Sequence, residues 1–187
     1  MRLFFSLLLV CPFLAFAQQP GATASFNEQQ LVILFGGISQ HAARLEPMLG
    51  QLRPDEWVTK GAPDTYVAQF ARTRDEIHEI QADMSALAQQ PGQMTATMKA
   101  LFRIQATHQL LGSLMGGLRK YQNPALADLI EAVAAEDQGE LIQLQQYLTE
   151  LASDKDAQFK LVDSEAQRCR AALSAQPAPR APVRKAP

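Results

Sequence analysis

NPALADLIEAVAAEDQGELIQLQQYLTELASDKDAQFKLVDSEAQRCRAAL, residues Asn123 to Leu173, runs without a proline after its second position. Asn123 and Pro124 read as the N-cap and first residue of a helix. The Asn side chain can accept from a backbone N–H that has no partner, and Pro lacks only a donor that would go unused. Apolar or small residues recur at Leu126, Ile130, Val133, Leu141, Leu144, Leu148, Leu151, Phe159, Val162, Ala166, Cys169 and Leu173. Most steps are three or four residues, the helical period. An unbroken helix of that length would extend roughly 75 Å.

Upstream the same periodicity predicts three shorter helices. The first covers about Asn27 to Leu52, with Leu31, Leu34, Phe35, Ile38, Ala42 and Leu45 on its apolar face. The second follows Asp64 as N-cap and runs to Gln90, where Pro91-Gly92 stops it. The third covers about Gln93 to Arg119. Gly36-Gly37 and Gly112, Gly116 and Gly117 are expected at close helix contacts, because each Gly costs a helix about 1 kcal/mol. Between the first two helices lie Arg53 to Pro63, with the only Trp, Trp57. Pro54 to Trp57 reads as a helical turn with Trp57 plugging one end of the core; the alternative is a binding loop.

Short links imply antiparallel neighbours. The predicted fold is all-α, an up-down-up-down four-helix bundle over residues 27–173 with a very long fourth helix. The third helix can cover the fourth only to about Asp154. Beyond that point the fourth helix either breaks, near Ser153-Asp154, or overhangs.

The ends differ in composition. Arg2, the apolar run Leu3 to Phe16 and the Ala15-Phe16-Ala17 site read as a signal peptide over residues 1–17. Val10 before Cys11 argues against lipidation. The run is too short to span a bilayer comfortably, so no transmembrane anchor is expected after cleavage. Residues 18–26 read as a flexible N-terminus. Residues 174–187 carry four prolines, three basic residues and no acid, and read as a disordered Pro-rich tail. Three charges give little binding at physiological salt, so a solvated tail is preferred over one that touches anionic envelope polymers. The expected location is exported, periplasmic or extracellular.

The chain has 187 residues, 47% hydrophobic and 7% aromatic, and a formal net charge of −2. Of its 17 basic residues, loss of Arg2 leaves 16 against 19 acidic, which does not fit a nucleic-acid partner. Enzyme signatures are absent: there is no phosphate loop, G-x-S-x-G or H-E-x-x-H. Covalent haem needs C-x-x-C-H, and one Cys remains after cleavage. A di-iron bundle needs paired E-x-x-H motifs; Asp75-x-x-His78 and Gln105-x-x-His108 are poor substitutes.

Two sites are expected. Counting outward from the turn at Asn123 puts His108 and Asp137 at one height, facing inward. His41 falls mid-stripe on the first helix, and Asp75 and His78 lie within about one turn of that level. Such a layer either fixes helix register through hydrogen bonds or holds a divalent metal such as zinc. The second site is the overhang, where Phe159, Val162, Cys169 and Leu173 continue an apolar stripe with nothing to cover it. Cys169 there is either a small buried residue or an intermolecular thiol. The sequence thus points to a non-enzymatic exported protein that acts by protein interaction or self-association, and alternatively to a metal- or haem-binding bundle.

Overall fold

A computed structural model describes residues 26–175. The expected signal peptide, most of the expected flexible N-terminus and residues 176–187 of the expected tail lie outside the described residues. The chain folds as helices: α1 (Glu28–Leu49), α2 (Pro54–Thr59), α3 (Thr65–Gln89), α4 (Met94–Tyr121), α5 (Pro124–Ala134), a 3-10 turn (Ala135–Asp137) and α6 (Gln138–Ser174). Among the described residues there is no strand, and no helix is long and apolar enough to cross a membrane.

The helix starts follow local chemistry. Asn27 accepts from Gln30 N, and the Gln30 side chain returns a bond to Asn27 N, a reciprocal cap on α1. Asn123 accepts from the amides of Ala125 and Leu126 at the head of α5, with Pro124 as first residue. Asp64 precedes α3 as expected, but its side chain makes no capping bond.

The core collects Leu34, Phe35 and Ile38 of α1, Ile77 and Met84 of α3, Ile104 and Leu114 of α4, Ile130 of α5 and Leu144 of α6. α3 packs between α1 and α4, and α5 and α6 close the gap between α4 and α1. Specific bonds fix the relative directions. Arg53 N donates to Gln122 Oε1 at one end, and Phe26 N meets Glu150 Oε2 at the other, so α1 opposes the α5–α6 run. Arg103 ties α4 to Glu76 and Asp83 of α3, each at 2.8 Å. Buried Thr73, Thr97 and Thr107 return their hydroxyls to the carbonyl four residues back, which satisfies them inside the core.

Trp57 is fully buried on α2. Its indole N–H donates to Gln122 Oε1 at 2.8 Å, and its ring meets Tyr66 edge-on. It closes the end of the core where α1 turns into α3, as a plug. The ring also explains one glycine. A Cβ on Gly117 would lie 2.9 Å from Tyr66 and 3.0 Å from Trp57. The other expected close approaches do not occur: Gly36, Gly112 and Gly116 face open space, and Gly37 meets only the Glu140 side chain.

The run from Asn123 to Ser174 is not one helix. It breaks at Ala135–Asp137, well before Ser153-Asp154. A 3-10 segment has three residues per turn instead of 3.6, so it re-phases the apolar stripe between α5 and α6. Asp137 marks the site; its carboxylate occupies a core position in the stripe and is buried. From Gln138 onward α6 is continuous for 37 residues and overhangs.

Candidate functional site

The mid-bundle layer begins with a buried carboxylate. Asp137 Oδ2 lies 2.9 Å from His108 Nε2, across from the middle of α4. The spacing from the Asn123 turn placed these two residues together, and they face inward as neighbours. His41, also buried, approaches from α1.

The protonation of His41 follows from its partner. Arg44 Nη2 stands 3.0 Å from His41 Nδ1, and a guanidinium can only donate. Nδ1 is therefore the acceptor, the ring is neutral, and its proton sits on Nε2. Burial holds this imidazole below its usual pKa; the nearby Asp137 carboxylate pulls the other way without overcoming it. Arg44 is itself held by Glu136 at 2.9 Å, one residue before Asp137. The 3-10 turn thus offers two carboxylates to two different elements.

Two buried atoms of the layer have no hydrogen-bond partner: His41 Nε2 and Asp137 Oδ1. One is a donor and the other an acceptor, and their residues line the same cavity of about 20 Å³, together with His108, Thr107 and aliphatic side chains. That volume accommodates one water molecule. It is far too small for a porphyrin.

The remaining expected ligands lie elsewhere. Asp75 and His78 line a surface groove with Phe70, Arg74 and Asp55, and His78 Nε2 is 3.4 Å from Glu46 Oε1. The apolar face of α3 is set by Thr73, Ile77, Ile80 and Met84. Asp75 and His78 share its height but not its face, so they do not join the layer. Among the described residues, no group of three or more His, Cys, Asp or Glu is arranged to hold a metal ion. The five-residue metal set expected from the sequence is therefore not assembled. The layer is two separate hydrogen-bonded pairs, Arg44–His41 on one side and Asp137–His108 on the other.

The second site is the overhang. From Ser153 to Ser174 nearly every residue of α6 is exposed, including Cys169. Phe159 is 73% exposed, Val162 62% and Leu173 68%. Hydroxyl bonds in this stretch are local, Ser164 to Leu161 O and Ser174 to Ala171 O. Leu141 and Leu144 of the same helix are buried, and Leu148 and Leu151 pack against the core. Helical spacing puts Phe159, Val162, Ala166, Cys169 and Leu173 on the face those four define. One stripe thus passes from core to solvent without changing face. A buried setting for Cys169 is not what the fold provides.

No protein-family model matches this chain, and neither a curated protein nor a solved structure is detectably similar to it.

Proposed function

We propose that this is an exported, non-enzymatic helical protein that acts by binding protein through the C-terminal half of α6. The scaffold of this reading is an up-down-up-down four-helix bundle, in which α1, α3 and α4 are three members and α5 with α6 is the kinked fourth. Bonds that join opposite ends of neighbouring helices support it. The observation that carries the function is the exposed stripe. An apolar helix face that continues past the core on one side of the helix, interrupted only at Lys155, is the pattern of a face made for another surface.

Export rests on the Ala15-Phe16-Ala17 site. It predicts a mature chain that begins at Gln18, which intact mass of the secreted protein checks. A chain that retains Met1 in the membrane fraction contradicts it.

The interaction is tested by replacing Phe159 and Val162 with Glu in the full exported chain. Chemical crosslinking in intact cells should yield protein adducts for the native chain and none for the variant, with equal helix content in both. Identical adduct patterns would remove the reading. A metal-binding role has less support, because the layer brings together His41, His108 and Asp137 without a metal-holding arrangement.

A further inference from the structure

We infer that the occupant of the α6 stripe is a second copy of this chain, paired antiparallel through residues 153–174 of each. The inference rests on reading that face as the interaction surface.

Residues 18–25 and 176–187 do not supply a cover. The N-terminal segment enters at the right place: Phe26 packs edge-on against Tyr147 at 5.7 Å and its amide meets Glu150, just where the stripe leaves the core. Residues 18–25, however, are Gln-Gln-Pro-Gly-Ala-Thr-Ala-Ser, with no large apolar side chain. Residues 176–187 have one apolar side chain larger than Ala outside proline, Val183. Neither can bury Phe159, Val162 and Leu173. A second copy presents the same stripe at the same length, roughly 33 Å for about 22 residues.

The fold also selects the direction. Because the stripe continues the face packed on the core, α1 and α4 already occupy the space beside Leu141 to Leu151. A parallel partner would carry its own Gln138–Ala152 into that space. An antiparallel partner brings only its C-terminal end to the shoulder formed by Phe26 and Tyr147, and its bundle lies beyond Leu173. Each bundle then limits how far the other helix can slide.

Two-fold symmetry about Ser164 gives a register. Phe159 faces Cys169 of the second copy, Val162 faces Ala166, and Lys155 faces Leu173 with its aliphatic stem along the seam and its ammonium in water. Asp156 then comes within one turn of Arg170 of the second copy, on both sides of the axis. Asp163 and Glu165 flank the axis, each with a basic residue three positions away on its own helix, Lys160 and Arg168. In this register the two Cys169 residues are offset by about 15 Å along the helices, beyond disulfide reach.

The test uses the full mature chain and its single native thiol. Sedimentation equilibrium should give a dimer, and mild oxidation should leave native Cys169 uncrosslinked. Phe159→Cys, with Cys169 retained, should form a disulfide-linked dimer, since 159 and 169 meet only between copies. Ready Cys169–Cys169 crosslinking of the native dimer would overturn the antiparallel arrangement. A monomer at about 100 μM would overturn self-pairing altogether. In that case adducts lost in the Phe159/Val162 double-Glu variant would preserve the interaction reading, and unchanged adducts would end both.

Discussion

His108 Nε2 stands 2.9 Å from Asp137 Oδ2, joining the middle of α4 to the turn between α5 and α6. The carboxylate is 4% exposed at its side chain and the imidazole 24%. A buried acceptor of this kind loses more when its partner is removed than an exposed pair would. His108→Ala should therefore destabilise the fold by about 2–3 kcal/mol, read as a lower urea midpoint. Asp137→Leu, which removes the charge and supplies apolar volume, should cost less than Asp137→Ala. A double-mutant cycle on the two sites should return a coupling of about 1–3 kcal/mol. A coupling near zero would mean that the bond is incidental and that the 3-10 turn is held by backbone alone.

The neutral state of His41 predicts acid sensitivity. Burial lowers its folded pKa below the unfolded value of 6.5. Below that pH the unfolded chain binds more protons than the folded one, so stability falls as pH falls. It is fully present well above pH 6.5 and is lost as pH drops toward and through the depressed folded value. Protonation also puts a hydrogen on Nδ1, which then opposes the Arg44 guanidinium. The limiting contribution is about 1.4 kcal/mol per pH unit. His41→Leu should flatten the dependence of the urea midpoint between pH 5 and 7 relative to the native chain. Parallel pH profiles for the two proteins would show that His41 is not the sensor.

Glycines separate what the pattern says from what the packing does. Gly36 and Gly117 both sit in helices on a Gly-Gly pair, and nothing in the sequence ranks them. Gly36 is exposed with open space at its Cβ position, so Gly36→Ala should stabilise by about 0.4–1 kcal/mol through the unfolded chain. Gly117→Ala puts a carbon 2.9 Å from the half-buried Tyr66 ring and 3.0 Å from the fully buried Trp57 ring. It should cost about 1–3 kcal/mol. Thermal melts of both variants check the pair; a neutral Gly117→Ala would show that the plug is looser than its burial implies.

Much of the fold was legible because helix starts and turn counts are local. Asn123 caps α5 as expected, Pro91-Gly92 ends α3, and a count from one turn was enough to align His108 with Asp137, although Asp64 precedes α3 without capping it. What failed needed information about faces and phase. Asp75 and His78 were placed by height, yet Ile77 sits between them on the buried side and turns both outward. The break at Ala135–Asp137 was hidden because Asp137 itself falls four residues from both Val133 and Leu141, which keeps the helical spacing across it. A single 3-10 turn adds only about 20° of rotation per position. The mid-stripe Asp137 was its one local signal, an acid where an aliphatic residue was due.

The overhang makes a prediction about concentration. Residues 158–174 contribute local helical bonds and almost no burial within one chain. Removing them by truncation after Ala157 should leave monomer stability within about 0.5 kcal/mol of the full chain, as for other changes away from a packed core. The two proteins should differ in another respect. If the stripe is covered by association, binding adds to the stability of the folded state by mass action, and the melting temperature rises with protein concentration. The full chain should show that rise over a hundredfold range of concentration, and the truncated chain should not. The two melting temperatures should converge at the dilute end, where the stripe is uncovered in both. A full-chain melting temperature that does not move with concentration, or a truncated chain that is much less stable when dilute, would each contradict the picture. The first would mean that copies do not pair through this helix. The second would mean that its last turns support the bundle in a way their exposure does not show.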